Sequence, residues 1–349
     1  MEQTKKEAEE SMAQFKVALV GGWGNAPVPE WVVRGFAEHG VEFVARECLT
    51  REDLAACASD ADVVWVFGGC RALTPALADN LAVLPRCGAL IRTGSGTDNV
   101  PVARATELGI IVANTPDAVT DPVADHVVGL LIAAARRIVA YDRAMRQGRW
   151  ERREVGYTNP HIHGRTLGLV GFGRIPRRVV QRLRGFEPVV LAYDPYVPAE
   201  TFAQHGARAV SLDELLAQAD FVSVHTPLTS ETHHLIGERE LRRMKRTAIL
   251  INTARGPVID EPALVCALTE GWIAGAALDV FEREPIDPAN PLLKLDNTIL
   301  TPHIASSSDE YMDSCWHYSL ETALDLAGGW LPRSYVNHAV EPRMSLRPK

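Results

Sequence analysis

The feature that most restricts how this chain can fold is a repeated alternation. From Phe15 onward, short apolar runs bounded by glycine, proline or asparagine take turns with amphipathic stretches. FKVALVGG, VEFVA, ADVVWVFGG, ALIRTG and GIIVANT make a first series of runs; TLGLVGF, PVVLAYD, FVSVHTP, AILINTA, GAALDV and NTILTP make a second. Runs this short and this rich in valine, isoleucine and leucine read as strands covered on both faces. The stretches between them, such as 28–39 and 74–84, read as crossover helices. The expectation is an α/β chain with two parallel-sheet domains of the Rossmann or flavodoxin type, and 349 residues suffice for both.

The two series are separated by PVADHVVGLLIAAARRIVAYDRAMRQ, residues 122–147. This predicts one long helix, capped by Thr120 or Asp121 with Pro122 in its first position. A polar, extended arm follows at 148–165. Residues 1–14 read as a flexible tail, 15–117 with 319–349 as one domain, and 118–318 as a second domain inserted into the first. The C-terminal stretch ending in WLPRSYVN is too short to fold alone and is expected to return to the first domain. A substrate is expected in the cleft between the two domains.

Composition narrows the classes of partner. A net charge of −8 argues against a nucleic-acid partner held by phosphate neutralisation. Arg174, Arg177, Arg178, Arg182 and Arg184 do cluster, but on one predicted helix, where a solvated face explains them. The six cysteines are scattered without a C-x-x-C pair, which suits a reducing, cytoplasmic compartment better than a disulfide framework or a zinc site. No apolar run approaches the ~20 residues that cross a bilayer, so no membrane partner is expected. The pairs His161/His163 and His233/His234 lack a cysteine or carboxylate beside them in sequence, and no metal is expected there.

Within the second series, LGLVGFGRIPRRVV (167–180) starts like the G-x-G-x-x-G turn that approaches a dinucleotide pyrophosphate. Gly171 and Gly173 are present, while Pro176 replaces the third glycine. Asp194 ends the next apolar run about twenty residues on, the spacing that puts a carboxylate on an adenosine ribose. A carboxylate there repels a 2′-phosphate, so NAD is favoured over NADP. Because proline restricts the residue before it, the regular helix is expected to start near Pro176.

Three later segments place polar residues just after strands, where open α/β sheets hold their ligands: Arg255 in INTARGPVIDE, Glu284 in LDVFEREP and His303 in LTPHIASSS. Singly, each has a structural explanation. Together with GTDNV (96–100), NTPDAVTDPVADHV (114–127), TLGLVGFGRI (166–175) and AGAALDVFEREP (274–285), they form a long ordered pattern. Over residues 60–337 the sequence resembles the NAD-dependent, D-isomer-specific 2-hydroxyacid dehydrogenases.

The resemblance implies interconversion of a 2-keto acid and a D-2-hydroxy acid by hydride transfer. Arg255 would hold the substrate carboxylate and carbonyl, His303 would exchange the proton on the carbonyl oxygen, and Glu284 would orient the imidazole and favour its charged form. An unperturbed histidine titrates near ~6.5, close to working pH. It also implies cofactor contacts at Gly171, Gly173, Arg174, Ile175, Asp194, Thr226, Pro227, Thr253, Ala254 and Asp279, the last toward the nicotinamide carboxamide. Ser95 and Gly96 would receive the substrate carboxylate, with Arg92 and Gly68 as further contacts.

Departures bear on the substrate. Phosphoglycerate-type relatives carry an arginine where this chain has Gly68 or Gly69, with Arg71 nearby, and the chain ends soon after the family core. Formate-type relatives have glutamine in place of Glu284. Gly94 and Ser95 are small, and Phe67 with segment 311–316 is expected to wall a pocket for a modest or aromatic acid. Two alternatives stand beside the dehydrogenase reading: an NAD(H)-dependent corepressor-like protein-binding module, and a phosphite- or phosphoglycerate-type dehydrogenase. The helix 122–147 and the arm 148–165 resemble the family's dimer-forming segment, so a homodimer is expected, with Arg153 of the arm a candidate contact to the partner's substrate cleft.

Overall fold

The computed structural model describes residues 14–24, 27–150 and 159–349. The expected tail apart from Gln14, and residues 151–158 of the arm, Arg153 included, lie outside the described residues. The chain divides into two compact units, one running to Val119 and resuming at Asp309–Lys349, the other spanning Thr120–Ser308.

In the first unit, β1 (Lys16–Gly21), β2 (Glu42–Ala45), β3 (Val63–Val66), β4 (Ala89–Arg92) and β5 (Ile111–Asn114) form one parallel sheet in the order β2-β1-β3-β4-β5. All four residues of β3 are buried, as an apolar run in the middle of a two-faced sheet requires. Helices α1 (Glu30–Glu38), α2 (Arg51–Ala58) and α3 (Val102–Glu107) provide crossovers. Thr50 and Asp53 make a capping box at the start of α2. The stretch 74–84 is a 3-10 segment, Pro75–Val83, with a non-helical Leu77 inside it. The C-terminal strip returns to this unit: Tyr335 bridges Ala113 in antiparallel sense, and Asn337 accepts from the Val112 N–H at 2.8 Å.

Next along the chain after β5 come α4 (Asp117–Ala135) and α5 (Ile138–Arg146), where the sequence suggested one helix. The break falls at Arg137, whose φ is +52°. No glycine or proline marks it, so local sequence gave no warning. The helix also begins five residues before Pro122. Its first turn closes through bonds from Ala118 to Thr115 and from Val119 to Pro116, and Pro122 forfeits only one later bond. At 19 residues, α4 has the length and apolar composition to cross a bilayer, which the sequence reading did not credit. Half of it is buried against the protein, however, and Asp121 and Asp125 on it pair with Arg178 and Arg182. These contacts make it a core helix, and they absorb two members of the arginine cluster.

The second unit contains β6 (Thr166–Val170), α6 (Arg174–Leu183), β7 (Val189–Tyr193), α7 (Ala199–Gln204), β8 (Arg208–Ala209), α8 (Leu212–Gln218), β9 (Phe221–Val224), α9 (Glu238–Arg243), β10 (Ile249–Asn252), α10 (Glu261–Thr269), β11 (Gly275–Leu278) and β12 (Thr298–Leu300). Its seven strands are parallel in the order β12-β11-β10-β9-β6-β7-β8. The chain leaves β6 first to one side and later to the other, so the switch point lies between β6 and β9, beside the glycine turn. The last helix, α11 (Tyr311–Ala327), packs wholly in the first unit. The expected boundary at 318/319 would cut it in half. The division falls at 308/309 because Trp316 and Ser319 on α11 bury against Trp65, Phe67 and Thr93.

Candidate functional site

At the C-terminal edge of the seven-stranded sheet, β6 ends in Gly171 at φ +93°. A side chain there would suffer a strained backbone and would press on the His225–Thr226 peptide at about 3.0 Å, so glycine is required. The Phe172 N–H donates to Asp194 Oδ2 (2.8 Å), and the Tyr196 N–H donates to Oδ1 (3.0 Å). Asp194 is thus pinned beside the turn. Gly173 caps α6, and a Cβ there would meet nothing within 4 Å, which leaves room for a ligand against the helix N-terminus.

The expected late helix start is not found: α6 begins at Arg174, and Pro176 occupies its third position, buried. The first N–H groups of any helix lack internal partners, so proline removes no helical bond there. The Phe172 carbonyl, just ahead of the helix, accepts from Arg177 Nε at 2.9 Å.

Next along this edge, β9 leads to Thr226 and Pro227, and β10 to Thr253, Ala254 and Arg255. The hydroxyls of Thr226 and Thr253 are buried and have no hydrogen-bond partner among the described residues. Two such orphans at the ends of neighbouring strands are what a bound polar ligand would satisfy. Asn252 shapes the turn that follows, its Oδ1 accepting from the Ala254 N–H and its Nδ2 donating to the Arg255 carbonyl, both at 2.9 Å. Gly256 sits so close to the Phe281 carbonyl that a Cβ would lie 1.9 Å from it. The loop bearing Arg255 is therefore set directly against the loop bearing Glu284.

His303 Nδ1 donates to Glu284 Oε2 at 2.7 Å, while Glu284 Oε1 accepts from the Phe281 N–H at 3.0 Å. A carboxylate only accepts, so Nδ1 carries the proton and Nε2 is the nitrogen not engaged by Glu284. His303 itself is at φ +54°, an uncommon conformation for a residue with a side chain. Asp279 explains how it persists. Its carboxylate accepts from Thr301 Oγ1 (2.5 Å), the Ile304 N–H (2.9 Å) and the Ala305 N–H (2.8 Å), and its carbonyl accepts from the His303 N–H (2.8 Å). The His126 ring reaches both Thr301 Oγ1 (3.2 Å) and the Asp279 carboxylate (3.6 Å). Asp279 is 0% exposed. Its carboxylate oxygens hold the histidine loop and have no open surface. His126 and Thr301 were not identified from sequence, since 175 residues separate them.

In the other unit, β4 ends at Arg92, whose guanidinium folds back on the Thr93 carbonyl. The turn after it is fixed by Thr115, which accepts from the Gly94 N–H, and by Asn114, which donates to the Ser95 carbonyl. The N–H groups of Ser95 and Gly96 have no partner among the described residues. Gly68 packs against the Gly22 backbone, and its carbonyl accepts from Asn99. Phe67 does not wall a pocket as expected: it and Trp316 are each 3% exposed, with ring centroids 4.4 Å apart in the core.

A family model for the NAD-binding domain of D-isomer-specific 2-hydroxyacid dehydrogenases matches residues 128–305, just over half the chain. The sequence is 45% identical to a glyoxylate reductase of Korarchaeum cryptofilum, over 78% of this chain and 84% of that protein. The chain belongs to the D-isomer-specific 2-hydroxyacid dehydrogenase family. It is 40% identical to a D-3-phosphoglycerate dehydrogenase of Methanocaldococcus jannaschii, over 92% of this chain and 60% of that protein. A crystal structure of a glyoxylate reductase from Paecilomyes thermophila superposes with a TM-score of 0.81 at 30% identity, covering 93% of this chain and 99% of that one. As a 2-hydroxyacid dehydrogenase, this protein is a nicotinamide-dependent oxidoreductase that interconverts 2-keto and 2-hydroxy acids. The glycine turn and the orphaned threonine hydroxyls fit such a cofactor.

Proposed function

We propose that this dehydrogenase reduces a small 2-keto acid of the glyoxylate class with NADH, and that His303, Glu284 and Arg255 carry the reaction. The observation behind this reading is the 2.7 Å His303–Glu284 bond, which leaves Nε2 as the proton-exchanging nitrogen. The nicotinamide cofactor, when bound, supplies the hydride. Arg255 binds the substrate carboxylate and polarises its carbonyl, and His303 Nε2 gives the carbonyl oxygen its proton, taking it back in the oxidative direction. Glu284 keeps the ring oriented and offsets its charge.

Gly171, Gly173, Arg174 and Ile175 line the pyrophosphate, Asp194 the adenosine ribose, Thr226 and Pro227 the adenosine end, and Thr253 and Ala254 the nicotinamide. Ser95 and Gly96 receive the substrate carboxylate on their unpaired amides, with Arg92 and Gly68 alongside. Asp194 favours NAD by repelling a 2′-phosphate. A homodimer through α4, α5 and the arm is supported by the exposed apolar residues Ile138, Val139, Met145 and Trp150 on that stretch. Six free cysteines support a reducing, cytoplasmic compartment.

The test is a panel of glyoxylate, hydroxypyruvate, pyruvate, phenylpyruvate and 3-phosphohydroxypyruvate with NADH, run on the wild type and His303→Ala. Glyoxylate should be reduced with the highest kcat/KM. The variant should lose about 10²–10⁴ in kcat while still binding NADH. Unchanged kcat in His303→Ala would remove the proton-transfer assignment.

A further inference from the structure

Outside the site just described, the fold assembles a second set of donors that the sequence did not put together. His233 and His234 lie in the loop between β9 and α9, and Glu282 lies in the loop after β11. One ligand atom from each is within 4.8 Å of the other two. The histidine pair was set aside in sequence for want of a carboxylate; Glu282, 48 residues away, supplies it.

The backbone builds this arrangement. His234 adopts φ +53°, a conformation that residues with side chains seldom take. The pinned N–H groups of His233, on the Thr229 carbonyl at 2.9 Å, and of His234, on the Pro257 carbonyl at 2.8 Å, hold the turn. In an extended strand, consecutive side chains point to opposite faces. Here the turn brings the two rings to the same side, with centroids 4.0 Å apart. Glu282 is anchored by its own N–H on Glu261 Oε2 at 3.1 Å and bonds His234 Nε2 at 2.8 Å.

We propose that His233, His234 and Glu282 form a binding site for a borderline divalent cation of the zinc class. Two imidazole nitrogens and one carboxylate oxygen are a donor set that zinc accepts, with water completing the tetrahedron. The cation replaces the direct His234–Glu282 hydrogen bond by two coordinate bonds. It also ties the loop after β9 to the loop after β11, two residues from Glu284. Its ligands must be deprotonated, so binding weakens as pH falls.

The experiment is isothermal titration of zinc chloride into the EDTA-treated, full-length protein at pH 7.5 and pH 6. Wild type should bind one ion per chain at pH 7.5 and more weakly at pH 6. His233→Gln is the decisive variant, because it leaves the His234–Glu282 pair and its fold intact; it should weaken binding at least ~tenfold, and Glu282→Gln should do the same. The proposal is overturned if wild type shows no stoichiometric uptake, or if His233→Gln and Glu282→Gln bind as wild type does. It is equally overturned if uptake is lost in His303→Asn but kept in His233→Gln, which would place the ion on the His303–Glu284 pair.

Discussion

Asp279→Asn isolates what holds His303 in place. The substitution keeps shape and volume but turns one carboxylate oxygen into an NH₂ group. The remaining oxygen can serve Thr301 and Ile304 on the Oδ1 side; the amide nitrogen then faces the Ala305 N–H, donor against donor, in a site with no exposed surface. A lost charge-assisted bond together with a buried unsatisfied donor costs about 2–4 kcal/mol. For a unit of this size that corresponds to a fall in Tm of roughly 5–15 °C. The His303 backbone, at φ +54°, is then free to relax, and displacing its ring by about 1 Å should lower kcat on the order of 10²-fold. Thermal melts, steady-state kinetics and NADH titration together read the outcome. If Tm and kcat hold while NADH affinity drops, Asp279 acts on the nicotinamide carboxamide and the loop-holding argument is wrong.

Gly256→Ala places a methyl group 1.9 Å from the Phe281 carbonyl, so one loop must yield by roughly 1.5 Å to reach ordinary contact; kcat should drop on the order of 10²-fold, and an active variant of unchanged stability would contradict the close approach. Asp194→Ala should raise the NADPH-to-NADH ratio of kcat/KM by on the order of tenfold, and a fixed ratio would show that the carboxylate does not set the preference. Burial pushes the His225 imidazole down to about 3, although part of the residue reaches the surface, with Nε2 on the Ser223 hydroxyl. The unfolded chain therefore takes up a proton near ~6.5 that the folded chain refuses until about pH 3, and stability falls between those values as pH drops, by at most about 1.4 kcal/mol per unit. In urea melts at pH 7 and pH 5, His225→Gln should show a smaller loss than wild type; equal losses would mean that His225 is not the group responsible.

Local sequence revealed the elements whose signal is short-range. Apolar runs bounded by turn residues marked strands, and the Gly171–Gly173 pair with Asp194 marked the turn proposed to hold the cofactor, because glycine geometry and ligand spacing are properties of a single strand–turn–helix. Where the reading failed, a contact from elsewhere intervened. Pro176 did not delay α6, since in the first helical turn a proline removes no helical bond. The helix across 122–147 breaks at Arg137 without a residue that breaks helices. Phe67 looked like a pocket wall and is core because Trp316 returns from the end of the chain to cover it.

The sequence by itself determined the α/β class and the family, and it singled out Arg255, Glu284 and His303, each standing just past a strand, as the residues proposed to carry the reaction. Only the tertiary structure decided which groups hold them. His303 keeps an uncommon backbone because Asp279, 24 positions earlier in the chain, accepts both N–H groups that follow it, with His126 and Thr301 completing the set. The physical reason is that a strand's pattern reports its own burial, whereas a buried carboxylate is satisfied by whichever donors parallel strand ends bring together. Those donors can come from any distance along the chain.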